Sequence, residues 1–257
     1  MLELRIGVIE TGMIAPALAE RFDDYPAMVA AWLGPWLPGA RFSPLRVVRG
    51  EPLGPVHAYD GYVLTGSKHG VYERIDWIAA LEAFVLACGH ARIPVFGICF
   101  GHQLLAQAYG AKVRQSAQGW GCGVQHYGAI PVSRTQSAAV PGGALLGRDL
   151  LGEGRQVYVF HQDQVLQVPE DATLLGGNAF CTIGVLEYEA CAFSVQFHPE
   201  FTREYMEALL DARAGVVCEE VANAARLSLR APVDNEVIAR AVAQLFKRAA
   251  VPADFDF

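Results

Sequence analysis

Four short runs constrain this chain most: "LRIGVIE" (4–10), "YDGYVLTG" (59–66), "IPVFGIC" (93–99) and "CAFSVQF" (191–197). Each is apolar on successive residues, whereas a strand with one wet face alternates. Such strands must be covered on both faces, which parallel strands achieve with helices above and below the sheet. "IDWIAALEAFVLACGH" supplies one cover, with Ile78, Leu81, Phe84, Val85 and Cys88 on one helical face. "FGHQLLAQAYG" predicts a short helix stopped by Gly110. The stretch from about 112 to 190 is punctuated by glycine. Its pieces "GVQHYGAIPV", "RQVYVFH" and "TIGVLEYE" predict an antiparallel extension of the same sheet. Two helical runs follow, "TREYMEALLDAR" and "NEVIARAVAQLFKRAA". The second carries Val237, Ile238, Ala241, Val242, Leu245 and Phe246 at helical spacing, with Asp234 placed to cap it. Between them, "AGVVCEEVANAARLSLRAP" reads as a further helix or in part as loop. The expectation is one α/β domain over residues 1–257, with extra C-terminal helices from about residue 215.

A chain of 257 residues, 53% of them hydrophobic, can bury one large core. Acidic residues outnumber basic ones, 27 to 20, and no Lys/Arg run occurs, so nucleic acid is not an expected partner. No uncharged apolar stretch is long enough to span a membrane. The first twenty residues carry acids early and lack a basic-then-apolar leader, so secretion is not expected. Cys88, Cys99, Cys122, Cys181, Cys191 and Cys218 form no CxxC pair. They read as reduced thiols rather than a disulfide frame or a zinc site. A cytoplasmic protein without metal or cofactor is the expectation.

The chemistry concentrates in "GICFGHQ" (97–103), at the end of a buried strand where the chain turns into a helix. Open parallel sheets present their ligands at that edge. Gly97 and Gly101 flank Cys99 in a G-x-nucleophile-x-G elbow, in which glycines permit a strained turn that pushes the central side chain into the open. A helix N-terminus favours the thiolate, and only Cys99 among the six is expected to combine that position with exposure. The Phe100 N–H is the natural donor to a developing oxyanion. A buried, inert thiol is the plain alternative. "SVQFHPE" (194–200) weighs against it, because His198 stands at the end of another buried strand and Glu200 lies two residues on, on the same side of an extended segment. Cysteine, imidazole and carboxylate would then act as nucleophile, proton carrier and orienter. Alternatively, the pair caps the helix that follows.

At these residues the chain resembles the class I, triad-type glutamine amidotransferases. "PVFGICFGHQLLAQAYGAKV" looks like that family's nucleophile segment and "VQFHPE" like its His-Pro-Glu segment. "VLTGSKHGVYE" is similar to its oxyanion-strand segment, and "VFHQDQV" to its His-x-Asp loop beside the glutamine pocket. The resemblance runs from about residue 4 to 210. It implies a flavodoxin-like three-layer α/β fold, mainly parallel with an antiparallel extension. It also implies an oxyanion role for Gly66, a pocket role for Gln103, a partner for a substrate α-amino group in Asp163, and a neighbouring role for His161. A helix-surface amide and an ordinary turn aspartate are the alternatives for Gln103 and Asp163. His102 is expected to support the elbow, His69 and Trp120 to form pocket wall, and Trp32 and Trp36 to be apolar anchors only. Within the family the likeness is greatest to the free-standing branch related to the amidotransferase domain of GMP synthase, which includes plant γ-glutamyl peptidases.

After about residue 210 nothing resembles a synthetase domain. Three functions are therefore open. The first is Cys-dependent hydrolysis of a γ-glutamyl amide, in glutamine or a γ-glutamyl peptide, through a γ-glutamyl thioester. The second is supply of ammonia to a separate synthetase subunit. The third is a non-catalytic metabolite sensor on the same fold, against which the presence of all three of Cys99, His198 and Glu200 counts. A stress-protein or intracellular-protease relative is disfavoured by the Gly-His-Gln and His-Pro-Glu segments.

Overall fold

The computed structural model describes residues 3–130, 150–189 and 191–249. Five strands run parallel in the order β2 (Arg41–Leu45), β1 (Arg5–Ile9), β3 (Gly61–Leu64), β4 (Val95–Ile98) and β11 (Ala192–Val195). The sheet continues antiparallel through β10 (Val185–Tyr188), β9 (Ala172–Gly177), β6 (Gly121–Ala129) and β7 (Arg155–His161). A separate two-stranded ribbon pairs β5 (Val113–Gln115) with β8 (Asp163–Val165).

Successive strand residues enter opposite cores, as unbroken apolar runs require. Ile6, Val8, Val63, Phe96, Ile98, Phe193 and Val195 face a core shared with α1 (Tyr25–Leu33) and α6 (Asn235–Ala249). Ile9, Tyr62, Leu64, Val95 and Ala192 face the other core, under α2 (Asp76–His90) and α3 (Phe100–Ala108). The result is the three-layer, mainly parallel sandwich with its antiparallel extension. All five residues of the expected α2 face are buried.

Two strands of the main sheet were not foreseen, nor was the β5–β8 ribbon. β2 is an edge strand that contains Pro44, which an edge tolerates because no inner ladder bond is lost. β9 is part-buried over Ala172, Thr173 and Leu174 and ends in two glycines, so it has no periodic signature. The expected strand "GVQHYGAIPV" begins two residues early, as β6, and its last two residues lie outside the described residues.

The ambiguous C-terminal stretch contains a helix, α5 (Glu219–Ser228), laid against β6, where the Val124 N–H donates to Ser228 Oγ at 2.8 Å. It follows α4 (Arg203–Ala212). α6 buries Ile238, Ala241, Val242 and Phe246 in the chain's own core, so its apolar stripe is taken up internally. Asp234 stands in the cap position before α6, where its carbonyl accepts the Ile238 N–H at 3.1 Å, while its carboxylate accepts the Gln156 N–H at 2.8 Å and ties the helix start to β7. Among the described residues no helix is long and apolar enough to cross a membrane.

Candidate active site

Cys99 is the single residue between β4 and α3, and it carries φ 50° and ψ −96°. A non-glycine residue there costs about 1–3 kcal/mol and persists only where the surroundings enforce it. The two glycines enforce it by clearance rather than by their own dihedrals, since neither has positive φ. A Cβ on Gly97 would sit 2.6 Å from the Gly101 backbone, and one on Gly101 would sit 2.7 Å from Leu64 Cβ. The glycines let strand, turn and helix close on one another, and the strain falls on the cysteine.

Cys99 ends up 6% exposed, lining a cleft rather than standing in the open. The expectation of unique exposure at a helix start fails for a second reason. Cys218 is exposed and stands at the N-cap of α5.

β11 lies beside β4 in parallel register, and the Cys99 N–H donates to Val195 O at 2.9 Å. Three residues later the His198 N–H donates to Tyr158 O at 2.8 Å. His198 Nδ1 lies 2.8 Å from Glu200 Oε1, with both side chains buried. Glu200 precedes α4, whose N-cap is Thr202, so it is not a first-turn helix residue. The ring of Phe201 stacks flat on His198, with centroids 4.1 Å apart and planes 5° apart. Burial pulls the His198 pKa down. The charges of Glu200 and Cys99, with hydrogen bonds to both, overcome it and raise it to about 10. On the far side, Gly66 follows β3 so closely that a Cβ would meet His198 Cε1 at 2.8 Å and Cys99 Cβ at 3.8 Å. Gly66, Cys99 and His198 thus leave three neighbouring parallel strands at one edge. Phe100 opens α3, where first-turn N–H groups have no partner within the helix.

The cleft has a volume of 400 Å³, within the range of small-molecule sites. Gln103, Asp163, His161, His69 and Trp120 all line it. The Gln103 amide donates to Asp163 O at 2.9 Å and to Gln196 Oε1 at 3.1 Å, and it is buried rather than on a helix surface. Burial raises the Asp163 carboxyl pKa, while a hydrogen bond from Tyr72 opposes the rise and Glu73 adds to it. His161 Nδ1 faces the Asp163 carbonyl at 3.0 Å, so Nδ1 carries the proton and the buried, unpartnered Nε2 is an acceptor. Burial holds the His161 pKa down at about 3, keeping the ring neutral.

His102 supports the elbow from behind. Its Nε2 donates to Ile183 O at 3.1 Å and its Nδ1 accepts from Ser194 Oγ at 2.8 Å, and burial lowers its pKa to about 4. The tryptophans do more than anchor. Trp32 Nε1 donates to Asn235 O at 2.9 Å, and the Arg240 guanidinium lies 4.4 Å from the Trp36 ring centre.

A second, larger cavity of 550 Å³ lies beyond Glu200 and Phe201, between α1 and the start of α4. It is lined by no cysteine, so the smaller cleft, which holds Cys99 and His198, is the candidate site.

Among the residues of this site that sequence reasoning missed, four are instructive. Gln196 donates to Cys99 Sγ at 3.5 Å, and its position two before His198 on an extended segment was a usable signal. Phe201 was the next aromatic after His-Pro-Glu. Tyr25 and Arg213 line the cleft from remote helices, and nothing in their local sequence points there.

The glutamine amidotransferase class-I family model matches residues 54–212, which span the elbow and the His-Pro-Glu segment. The chain belongs to the class I glutamine amidotransferase family. Among curated relatives of this amidotransferase, Gamma-glutamyl peptidase 3 of Arabidopsis thaliana is 28% identical over 175 residues, covering 67% of this chain and 68% of that protein. The GMP synthase of Azoarcus sp. strain BH72 is 31% identical over 144 residues, covering 55% of this chain and 26% of that protein. A solved glutamine amidotransferase from Thermotoga maritima superposes with TM-score 0.72 at 21% identity, over 97% of this chain and 99% of that one. At that identity the superposition speaks for the flavodoxin-like fold. At family level, membership supports hydrolysis of glutamine or γ-glutamyl amides.

Proposed function

We propose that this amidotransferase hydrolyses a γ-glutamyl amide bond by itself, through a γ-glutamyl thioester on Cys99. The observation that carries this reading is the buried His198–Glu200 contact at 2.8 Å beside a cysteine held at a strained turn. The Cys99 thiolate attacks the γ-carbonyl carbon, forming a C–S bond. Negative charge gathers on the carbonyl oxygen, where the N–H groups of Gly66 and Phe100 receive it. The imidazolium of His198 protonates the leaving nitrogen, and the C–N bond breaks. Water then adds to the thioester and gives its proton to His198. The C–S bond breaks, releasing glutamate and regenerating the thiolate. Glu200 keeps the imidazole oriented throughout. Gln103, Asp163 and His161 form the γ-glutamyl pocket, with the free Nε2 of His161 and the Asp163 carboxyl facing a substrate amino group.

The burial of the α6 stripe in the chain's own core supports an enzyme that works without a docked synthetase. The whole chain, including α5 and α6, then acts as one catalytic unit on a small molecule in the reducing cytoplasm. Two electrophiles test the reading. A neutral reagent such as iodoacetamide should label the exposed Cys218 first. A glutamine-like chloroketone should label Cys99 first, with peptide mapping as the readout. Chloroketone labelling that ignores Cys99 would sink the thioester mechanism.

A further inference from the structure

The two N–H groups that receive the oxyanion in the proposed mechanism belong to peptides held in different ways. The Phe100 N–H is part of the Cys99–Phe100 peptide, whose carbonyl accepts the Gln103 N–H at 3.0 Å in the first turn of α3. Helix geometry fixes that plane. The Gly66 N–H is part of the Thr65–Gly66 peptide, which lies past the end of β3 and outside any helix or strand. Neither N–H donates a hydrogen bond among the described residues.

A side chain holds the second peptide. Thr11 stands two residues past the end of β1, and its Oγ1 donates to Thr65 O at 2.9 Å. Among the described residues that carbonyl accepts no other hydrogen bond. No described peptide is cis, and across a planar trans peptide the C=O and N–H point opposite ways. A donor that pins the Thr65 carbonyl from the β1 side therefore aims the Gly66 N–H away from β1. In the sheet β3 lies between β1 and β4, and β4 leads into Cys99. A Cβ on Gly66 would meet His198 Cε1 at 2.8 Å and Cys99 Cβ at 3.8 Å on that side.

A count of protons fixes the assignment. Thr11 Oγ1 also lies 3.1 Å from Gly66 O and 3.2 Å from Thr65 Oγ1. Thr65 Oγ1 accepts the Thr11 N–H at 3.1 Å and reaches Gly66 O at 3.3 Å. Both threonines are wholly buried, where a carbonyl without a donor is costly. Two hydroxyl protons thus face two carbonyls. Of the pair, the Thr65 hydroxyl reaches only Gly66 O, so the Thr11 proton serves Thr65 O.

The end of β1 is itself braced. The wholly buried Glu10 carboxylate accepts two bonds from the Arg49 guanidinium, at 2.9 and 3.2 Å. The Thr65 N–H donates to Ile9 O at 3.1 Å. A Cβ on Gly12 would sit 2.6 Å from Gly66 O and 2.7 Å from Ser67 Cα, so the two turns are in direct contact.

We infer that Thr11 is a positioning residue for the reaction. Its hydroxyl holds the Thr65–Gly66 peptide with the N–H turned to the oxyanion, and it strengthens that donor by polarising the carbonyl behind it. This rests on the thioester mechanism above and extends it to a residue outside the cleft lining.

Thr11→Val keeps the shape of the side chain and removes the hydroxyl. Loss of a whole oxyanion donor costs about 10²–10³ in kcat, so a donor that is present but loosely held should cost about ten- to a hundredfold. KM should stay within about twofold, and Thr11→Ser should restore most of the rate. Iodoacetamide alkylates by displacement at a saturated carbon and builds no oxyanion. Its rate at Cys99, read by peptide mapping, should be unchanged in Thr11→Val. Thr65→Val deletes the other hydroxyl but leaves the Thr65 carbonyl its donor, so it should lose similar stability and much less kcat. Equal kcat losses in the two valine variants, or a matching fall in Cys99 alkylation, would reduce Thr11 to a packing residue. Wild-type kcat in Thr11→Val overturns the assignment outright. If that variant does not give a native thermal melt, Thr11→Cys takes its place, being close in size and a weaker donor. Lowered kcat with KM kept then supports the assignment, and wild-type kcat overturns it.

If the wild-type protein hydrolyses neither glutamine nor γ-glutamylglycine, the hydrolase reading fails. Crystal structures of Thr11→Val and Thr11→Ser then judge Thr11 alone. A Thr65–Gly66 peptide turned over in the valine variant and kept in the serine variant supports the positioning role. A peptide that stays in place in both overturns it.

Discussion

The two halves of the sheet contribute to the site in different ways. In the parallel half, Gly66, Cys99 and His198 stand where three adjacent strands end, and backbone geometry fixes them. The fixing elements are a strained φ at Cys99, ladder register between β4 and β11, and close approach at Gly66. In the antiparallel half, the cleft is walled by side chains that hold one another. Trp120 packs on Phe160 at 5.2 Å, and His161 on Phe180 at 5.7 Å. The halves meet where the His198 N–H reaches Tyr158 O on β7. On the proposed mechanism, the groups that react are placed by main chain, and the groups that select are placed by packing. Changes to the first set should therefore appear in kcat, and changes to the second in KM.

The largest effect should come from His198→Ala, which removes the proton carrier. A fall in kcat/KM on the order of 10⁴-fold with an unchanged melt is expected on any substrate the wild type hydrolyses. A comparable fall from Trp120→Ala would erase the distinction between the halves. Glu200→Gln should cost less, roughly 10²–10³-fold, because nucleophile and base remain.

Glu200→Gln should also move the pH profile. His198 is held charged to about pH 10 against the pull of burial, chiefly by Glu200. Activity that needs the imidazolium should be lost as pH rises through that value, and the amide variant should lose it at lower pH. A pH–rate profile with the same alkaline limb in both proteins would reduce Glu200 to a structural residue.

Stability offers a sharper contrast. Gly101→Ala would bring a Cβ to 2.7 Å from Leu64 Cβ and 2.9 Å from its carbonyl oxygen, and should cost about 1–3 kcal/mol in denaturant unfolding. Gly128→Ala, on β6, meets only Gly177 O at 4.0 Å and should be neutral or slightly stabilising. Equal costs would mean that the elbow is no tighter than the antiparallel strands. The smallest effect is reserved for Trp120→Ala, with KM raised about three- to tenfold and kcat retained.

The same division explains what the sequence made legible. Unbroken apolar runs announce strands buried on both faces, so β1, β3, β4 and β11 were readable, as was α2 with its five buried residues. If those strands run parallel, Cys99 and His198 fall at one edge of the sheet. β9 gave no such signal, because half-exposed residues with two glycines look like loop until a neighbouring strand pairs with them. Asp234 has the sequence of a helix cap, yet tertiary contact with Gln156 took its carboxylate. Cys218 matches Cys99 in being at a helix start, and burial and the strained backbone of Cys99 separate them. Tyr25 and Arg213 reach the cleft from helices far apart in the chain, and proximity of that kind is not written in local pattern.

The flat stack of Phe201 on His198 has a consequence for the order of events. A ring stacked on Phe201 and held at Nδ1 by Glu200 keeps the same edge forward through both halves of a reaction. On the proposed mechanism, the edge that hands a proton to the departing amine is therefore the edge that must later take one from water. Both molecules use one doorway in succession, and the second cannot enter before the first has cleared it. An amine that lingers can re-enter as the nucleophile in place of water. Added amines of another kind should then divert the thioester to new γ-glutamyl amides in proportion to their concentration, whereas the enzyme's own leaving group only re-forms the substrate and slows net hydrolysis.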